Sequence, residues 1–189
     1  MVRFAILHEG SDKDNTDRKF IKSLLADLSI DENLIYFDGF GSKTNFFDVN
    51  NQKYKKLQQF ISAGQIQKIL FIIDADDEKD DTKYKGYANT QAQLQTTINQ
   101  LGFEAISSVY IVCNPETQTG YLESLILATL PEDKRDCIEC FVNCSQINPK
   151  QLHKTIINNL YSIAYPEPPY NFAHPHFEPL KKQLQNLFQ

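Results

Sequence analysis

Apolar residues in this chain fall into short unbroken runs, and the stretches between them carry a helical spacing. The run Ile69 to Ile73 (ILFII) is too short to cross a membrane and suits a strand buried on both faces, as in a parallel sheet. Arg3–Leu7, Asn33–Phe37 and Ser108–Cys113 read as three further strands. Phe20, Ile21, Leu24, Leu25 and Leu28 share one face of a helix that Thr16 or Asp17 would cap. Tyr54, Leu57, Phe60 and Ile61 mark a second helix, ended by Gly64. A third is expected over Thr82–Leu101, closed by Gly102, and a fourth begins near Thr119. Strands alternating with helices predict βαβ units: a Rossmann-like α/β fold with a mostly parallel sheet of about four strands flanked by helices.

Beyond Pro131 the pattern is helical only, over Glu132–Cys144 and Lys150–Tyr161. The stretch Pro166–Pro179 is rich in proline and aromatics and is expected to lie extended over the surface. Leu180, Leu184 and Leu187 predict a short terminal helix. The organisation expected is therefore an α/β domain over 1–130 with a helical and proline-rich C-terminal extension, 131–189, packed on it.

With 189 residues, 41% hydrophobic and 23% charged, the chain suits one compact domain with a real core. A net charge of −5 offers no bulk attraction to nucleic acid, so such a partner would need a local patch or metal ions. The apolar run at the N-terminus is too short for a signal peptide, and no segment approaches membrane-spanning length. Four cysteines are too few for a disulfide scaffold. The cytoplasm is the expected compartment, with no membrane partner.

The chemistry gathers after the central run, at Asp74, Asp76, Asp77 and Asp80. Open α/β sheets bind ligands beyond the carboxyl ends of their strands. Carboxylates held close repel, and a hard cation among them relieves this. A solvated loop capping the next helix is the plainer alternative. Glu9 follows the first strand in the same way, leading into Gly10-Ser11-Asp12. If the two strands are adjacent and parallel, the acids meet at one edge. Three such groups can hold Mg²⁺ and leave positions for water and phosphate oxygens. In extended backbone Asp74 and Asp76 would point to the same side.

Glu9-Gly10-Ser11-Asp12, with Phe20-Ile21-Lys22 on the next helix, and Asp74-Ala75-Asp76 after the third strand together resemble the Toprim domain over roughly 1–130. The resemblance implies Mg²⁺-assisted (or Mn²⁺-assisted) phosphodiester chemistry on nucleic acid. Glu9 would be general acid or base, and Asp74 and Asp76 metal ligands. Glu123, in Gly120-Tyr121-Leu122-Glu123, is similar to the acid that OLD-type and small stand-alone relatives place after the fourth strand, which would make it a second-metal ligand. A first-turn glutamate offsetting a helix dipole is the plainer reading of it. The Walker A motif that OLD proteins pair with this domain is missing. Gly39-Phe40-Gly41-Ser42-Lys43-Thr44 imitates one but has Ser42 before the lysine, and reads as a loop with Lys43 as a candidate phosphate contact. Neither a topoisomerase cleavage domain nor a primase zinc ribbon accompanies the motifs. Two readings follow: a Mg²⁺-dependent nuclease, or a non-catalytic interaction or regulatory module of a larger nucleic-acid-processing or defence system, whose partner supplies the ATPase.

Cys137, Cys140 and Cys144 could join Cys113 around a metal, but their spacing puts them on one stripe with Phe141, and buried core packing is the expectation. His174 and His176 read as surface residues. His8 either tunes Glu9 or points away from it. Lys53, Lys55, Lys56 and Lys68 form a modest basic cluster, a solvated face or a backbone contact. Tyr165, Tyr170, Phe172 and Phe177 make the tail a candidate partner-binding segment.

Overall fold

Four strands form one sheet: β1 (Phe4–His8), β2 (Ile35–Gly39), β3 (Lys68–Asp74) and β4 (Ser107–Val112). Their order is β2-β1-β3-β4, and every neighbouring pair is parallel. The computed structural model describes residues 3–11, 15–77, 83–145, 159 and 170–189. Seven α-helices are described: α1 (Thr16–Asp27), α2 (Lys43–Phe47), α3 (Gln52–Ser62), α4 (Tyr87–Leu101), α5 (Leu122–Ala128), α6 (Glu132–Cys144) and α7 (Glu178–Leu187). The fold is α/β and Rossmann-like, as the alternation of runs predicts. No helix among the described residues is long and apolar enough to cross a membrane.

The alternation of side chains along each strand divides the apolar residues into two cores, one on each face of the sheet. On the first face Phe4, Ile6, Leu70 and Ile72 meet Phe20 and Leu24 of α1, Leu125 and Ile126 of α5, and Leu180, Leu184 and Leu187 of α7. On the second, Ala5, Leu7, Ile69, Phe71 and Ile73 meet Phe46, Tyr54, Leu57, Leu94 and Ile98. Strand β1 is buried throughout and β3 in all but its first residue, which is why their sequences read as continuous apolar runs.

Several boundaries differ from the sequence expectation for identifiable reasons. The cap of α1 is Asn15, whose side chain accepts the Arg18 N–H at 2.9 Å, not Thr16 or Asp17. Helix α4 starts at Tyr87, because Gly86 stands at φ +79°, where a helix cannot run. The expected start at Thr82 lies outside the described residues. Helix α5 starts at Leu122, since a turn tied by Asn114 N–H to the Thr119 carbonyl (2.9 Å) occupies the preceding residues. Helix α2 is an addition: Ser42 caps it and Phe46 and Phe47 bury one side. That short turn is the segment read as a loop.

The C-terminal region corrects two expectations. From Tyr170 to Pro179 the chain runs at the surface, with Asn171, Ala173 and Pro175 exposed, but it is turned and not extended, and it anchors Phe172 and Phe177 in the core. Phe172 and Phe177 pack against Phe20, both with ring centroids at 5.6 Å, and Tyr170 stands edge-on at 5.0 Å. A 3₁₀ turn forms at Pro175–Phe177 despite the prolines. Aromatic area of this size, at roughly 25 cal/mol per Å² buried, outweighs the cost of ordering a proline-rich strap. Tyr170, Phe172 and Phe177 are thus spent on the chain's own core. Tyr165 and the helix expected over 150–161 lie outside the described residues. The second correction concerns α6. Cys137, Cys140 and Cys144 are exposed, and so is Phe141, because the helix meets the core through Ile138 on another face.

Candidate functional site

Strands β1 and β3 are neighbours at the centre of the sheet, and His8 stands opposite Ile72. Their carboxyl ends therefore release Glu9 and Asp74 at one edge. The loop after β1 is pinned there. Gly41 N–H donates to the Gly10 carbonyl at 2.9 Å, and Phe40 N–H to the His8 carbonyl at 3.0 Å. A Cβ on Gly39 would run into the Ser11 backbone at about 2.5 Å, so only glycine allows the two loops to cross so closely.

His8 and Asp74 keep the phase of Phe4, Ile6, Leu70 and Ile72, so both belong to the first face. Together with Glu9 and Asp17 they line a cavity of about 20 Å³, walled by Phe20, Ile21, Leu122 and Leu180. That volume holds about one water molecule. His8 is 1% exposed and Asp74 8%. Of the two readings of His8, the one that turns it toward the acid site is the one observed. Asp17 is the residue that sequence reasoning missed. The sequence offers it only as a cap, yet the first turn of a helix that follows a strand's carboxyl end can sit beside that end. Its position and acidity were the available signal.

Asp76 goes elsewhere. Its φ of +61° puts it in the left-handed region, which breaks the extended alternation and with it the expectation that it shares a side with Asp74. Its N–H donates to the Gly120 carbonyl at 2.7 Å. Its carboxylate takes the Lys43 ammonium at 2.7 Å, and the same ammonium donates to the Ala75 carbonyl at 3.2 Å. Lys43 comes from α2 and is 6% exposed. It holds a carboxylate of its own chain, where the sequence offered it as a phosphate contact. Lys53 repeats the arrangement, with Asp38 at 2.6 Å and the Gly39 carbonyl at 2.7 Å. Lys56 lies over the Tyr36 and Phe60 rings, and Lys68 donates to the Asn186 carbonyl at 3.2 Å. The basic cluster is largely engaged with its own fold.

Glu123 sits in the first turn of α5, 2% exposed, next to the cavity residue Leu122 but not on the cavity wall. Asp77 follows Asp76 and lies near Gly120. Asp12 and Asp80 lie outside the described residues. His174 accepts the His176 N–H at 3.2 Å, and burial followed by the His176 charge lowers its pKa. Burial, and after it the Asp74 carboxylate, pushes the Cys113 thiol up.

The donor set around the cavity is oxygen-rich, the kind a hard cation prefers. Among the described residues no group of three His, Cys, Asp or Glu side chains closes on a metal ion. A cation here would have at most two of these carboxylates as ligands, and its water shell would have to lie outside the cavity, at its mouth. No protein-family model matches the chain, and neither does any curated protein.

Proposed function

We propose that the chain is a Toprim-like, Mg²⁺-dependent enzyme of phosphodiester chemistry on nucleic acid, a nuclease with its site at the carboxyl edge of β1 and β3. The observation that carries this reading is the delivery of Glu9 and Asp74 by adjacent parallel strands to one cavity, with Asp17 beside them. Asp74 and Asp17 would hold the ion, and Mn²⁺ would serve in its place. When bound, the ion supplies charge neutralisation at the phosphate and lowers the pKa of its water. Glu9, half-buried on the cavity wall, would take the proton of the attacking water or return one to the leaving oxygen. His8, buried, lines the same cavity. The cavity admits no more than a water-sized group, so the phosphodiester lies across its mouth. Asp76 contributes only where Lys43 releases it. The test is cleavage of single- and double-stranded DNA and RNA with Mg²⁺ or Mn²⁺. Cleavage that disappears in both Glu9→Gln and Asp74→Asn is the expected result; equal cleavage by wild type and both variants would sink it.

A second reading has its own support. Leu180 of α7 closes one wall of the cavity, and Lys43 already neutralises Asp76. Both features suit a non-catalytic module of a larger nucleic-acid-processing or defence system, with the ATPase on a partner. Metal binding without cleavage of any of the four substrates favours this reading.

A further inference from the structure

The two edges of the sheet are protected differently. At β2, Lys53 closes over the strand end through Asp38 and the Gly39 carbonyl. At β4 the sequence Ser-Ser-Val-Tyr-Ile-Val holds no charge, proline or glycine, the residues by which edge strands are usually blunted. No strand among the described residues pairs with its outer side. Ala75 N–H donates to the Val112 carbonyl at 2.9 Å, so Val112 and Tyr110 turn their backbone groups toward β3. By alternation Val109 and Ile111 turn theirs outward. A groove of about 310 Å³ runs along this edge. Val109, Tyr110 and Ile111 all line it, and three consecutive strand residues reach one groove only when it faces the edge. Tyr87 of α4 and Gln183 of α7 stand on either side of it. Among the described residues no Asp, Glu, Lys or Arg lines it, although the chain is 23% charged; His176 does.

We propose that the outer edge of β4 is a docking slot for an extended, uncharged segment of a partner protein, which adds a fifth strand to the sheet. The match is in hydrogen bonding and in charge. Outward N–H and C=O groups at Val109 and Ile111 call for another backbone, and a lining whose described residues hold no carboxylate, lysine or arginine, only His176, offers a charged segment no counter-charge of fixed sign. A second copy of this chain fits less well. Each copy carries −5, so two copies repel as they approach. This slot is independent of the acidic edge and of either reading of it.

Main-chain pairing is nearly independent of sequence, so a generic strand is a fair probe. The experiment follows amide exchange by NMR on the full-length protein, with a capped Thr-Val-Thr-Val-Thr-Val peptide. A control peptide is N-methylated along one edge. In the free protein the Val109 and Ile111 amides exchange rapidly. Saturating peptide slows them at least ~10-fold and the N-methylated control does not. Val109→Pro removes one outward donor at a position where an edge strand tolerates proline, and weakens peptide binding, with some loss of unfolding temperature because Val109 packs on the second core. Three results would each overturn the proposal: both amides already protected in the free monomer, protection that appears only with dimerisation, or equal binding of the N-methylated peptide. The two peptides decide the matter even if the proline variant misfolds.

Discussion

Asp74 and Asp76 stand two residues apart at the end of β3 and meet opposite surroundings. On the α2–α3 face each strand-end carboxylate is met by a lysine: Asp76 by Lys43 at 2.7 Å and Asp38 by Lys53 at 2.6 Å. On the α1–α5 face Asp74 shares a cavity with Glu9, Asp17 and His8, and no lysine or arginine lines it among the described residues. The first face sets a lysine against each carboxylate; the second gathers Glu9, Asp17 and Asp74 beside His8 at one cavity. Acidity after a strand is therefore not enough to assign a ligand; the facing helix decides.

The comparison can be sharpened by experiments ranked by expected effect. Leu180→Ala should cost about 3–4 kcal/mol in denaturant unfolding, because the residue is 1% exposed in the first core, and should enlarge the acid cavity. A change below 1 kcal/mol would mean that α7 is not the wall described. Lys43→Met should cost about 3 kcal/mol, the low end for breaking a buried pair, since Asp76 keeps 21% of its side chain exposed. Adding Asp76→Asn should recover much of that loss. Strictly additive losses would contradict the pairing.

A third expectation concerns pH. Tyr54 is fully buried and donates to the Phe46 carbonyl at 2.5 Å. Burial first, then Asp38 and Asp48, raises its pKa well above the ordinary phenol value. The unfolded chain releases this proton near pH ~10, while the folded chain keeps it. Above that pH the native state binds more protons, so stability is intact below it and falls as pH rises. Tyr110, raised by burial and by its Cys113 and Tyr87 neighbours, adds to the same slope. Tyr54→Phe should flatten the alkaline limb of a Tm-against-pH curve; an unchanged limb would rule out Tyr54 as its source. The smallest effect concerns the thiols. Three of the four cysteines should react quickly with a thiol reagent in the native protein and Cys113 slowly, with stability changed by less than ~0.5 kcal/mol when Cys137 becomes serine.

What was legible in the sequence was whatever rests on period and strand order. The run ILFII announced the central strand, and the alternation of runs announced a parallel sheet. From those two, the meeting of Glu9 with Asp74 followed. What was not legible rests on single backbone angles and long-range partners. A φ of +61° at Asp76 separates it from Asp74, and an aspartate, unlike a glycine, gives no warning of it. Lys43 reaches across 33 positions to find that carboxylate. The cysteines of α6 sit on one stripe, as their spacing requires, but spacing does not say which stripe faces the core; Ile138 does. In the tail, prolines suggested an extended surface strap, while the buried area of Phe172 and Phe177 set the outcome.

The most direct measurement is a calorimetric titration of Mg²⁺ and Mn²⁺ into wild type, Asp74→Asn and Asp76→Asn. Binding in wild type that vanishes in Asp74→Asn and persists in Asp76→Asn is the result expected if the cavity-side acids take the ion while Lys43 holds Asp76. No binding to wild type at millimolar metal, or loss in Asp76→Asn with retention in Asp74→Asn, would contradict it.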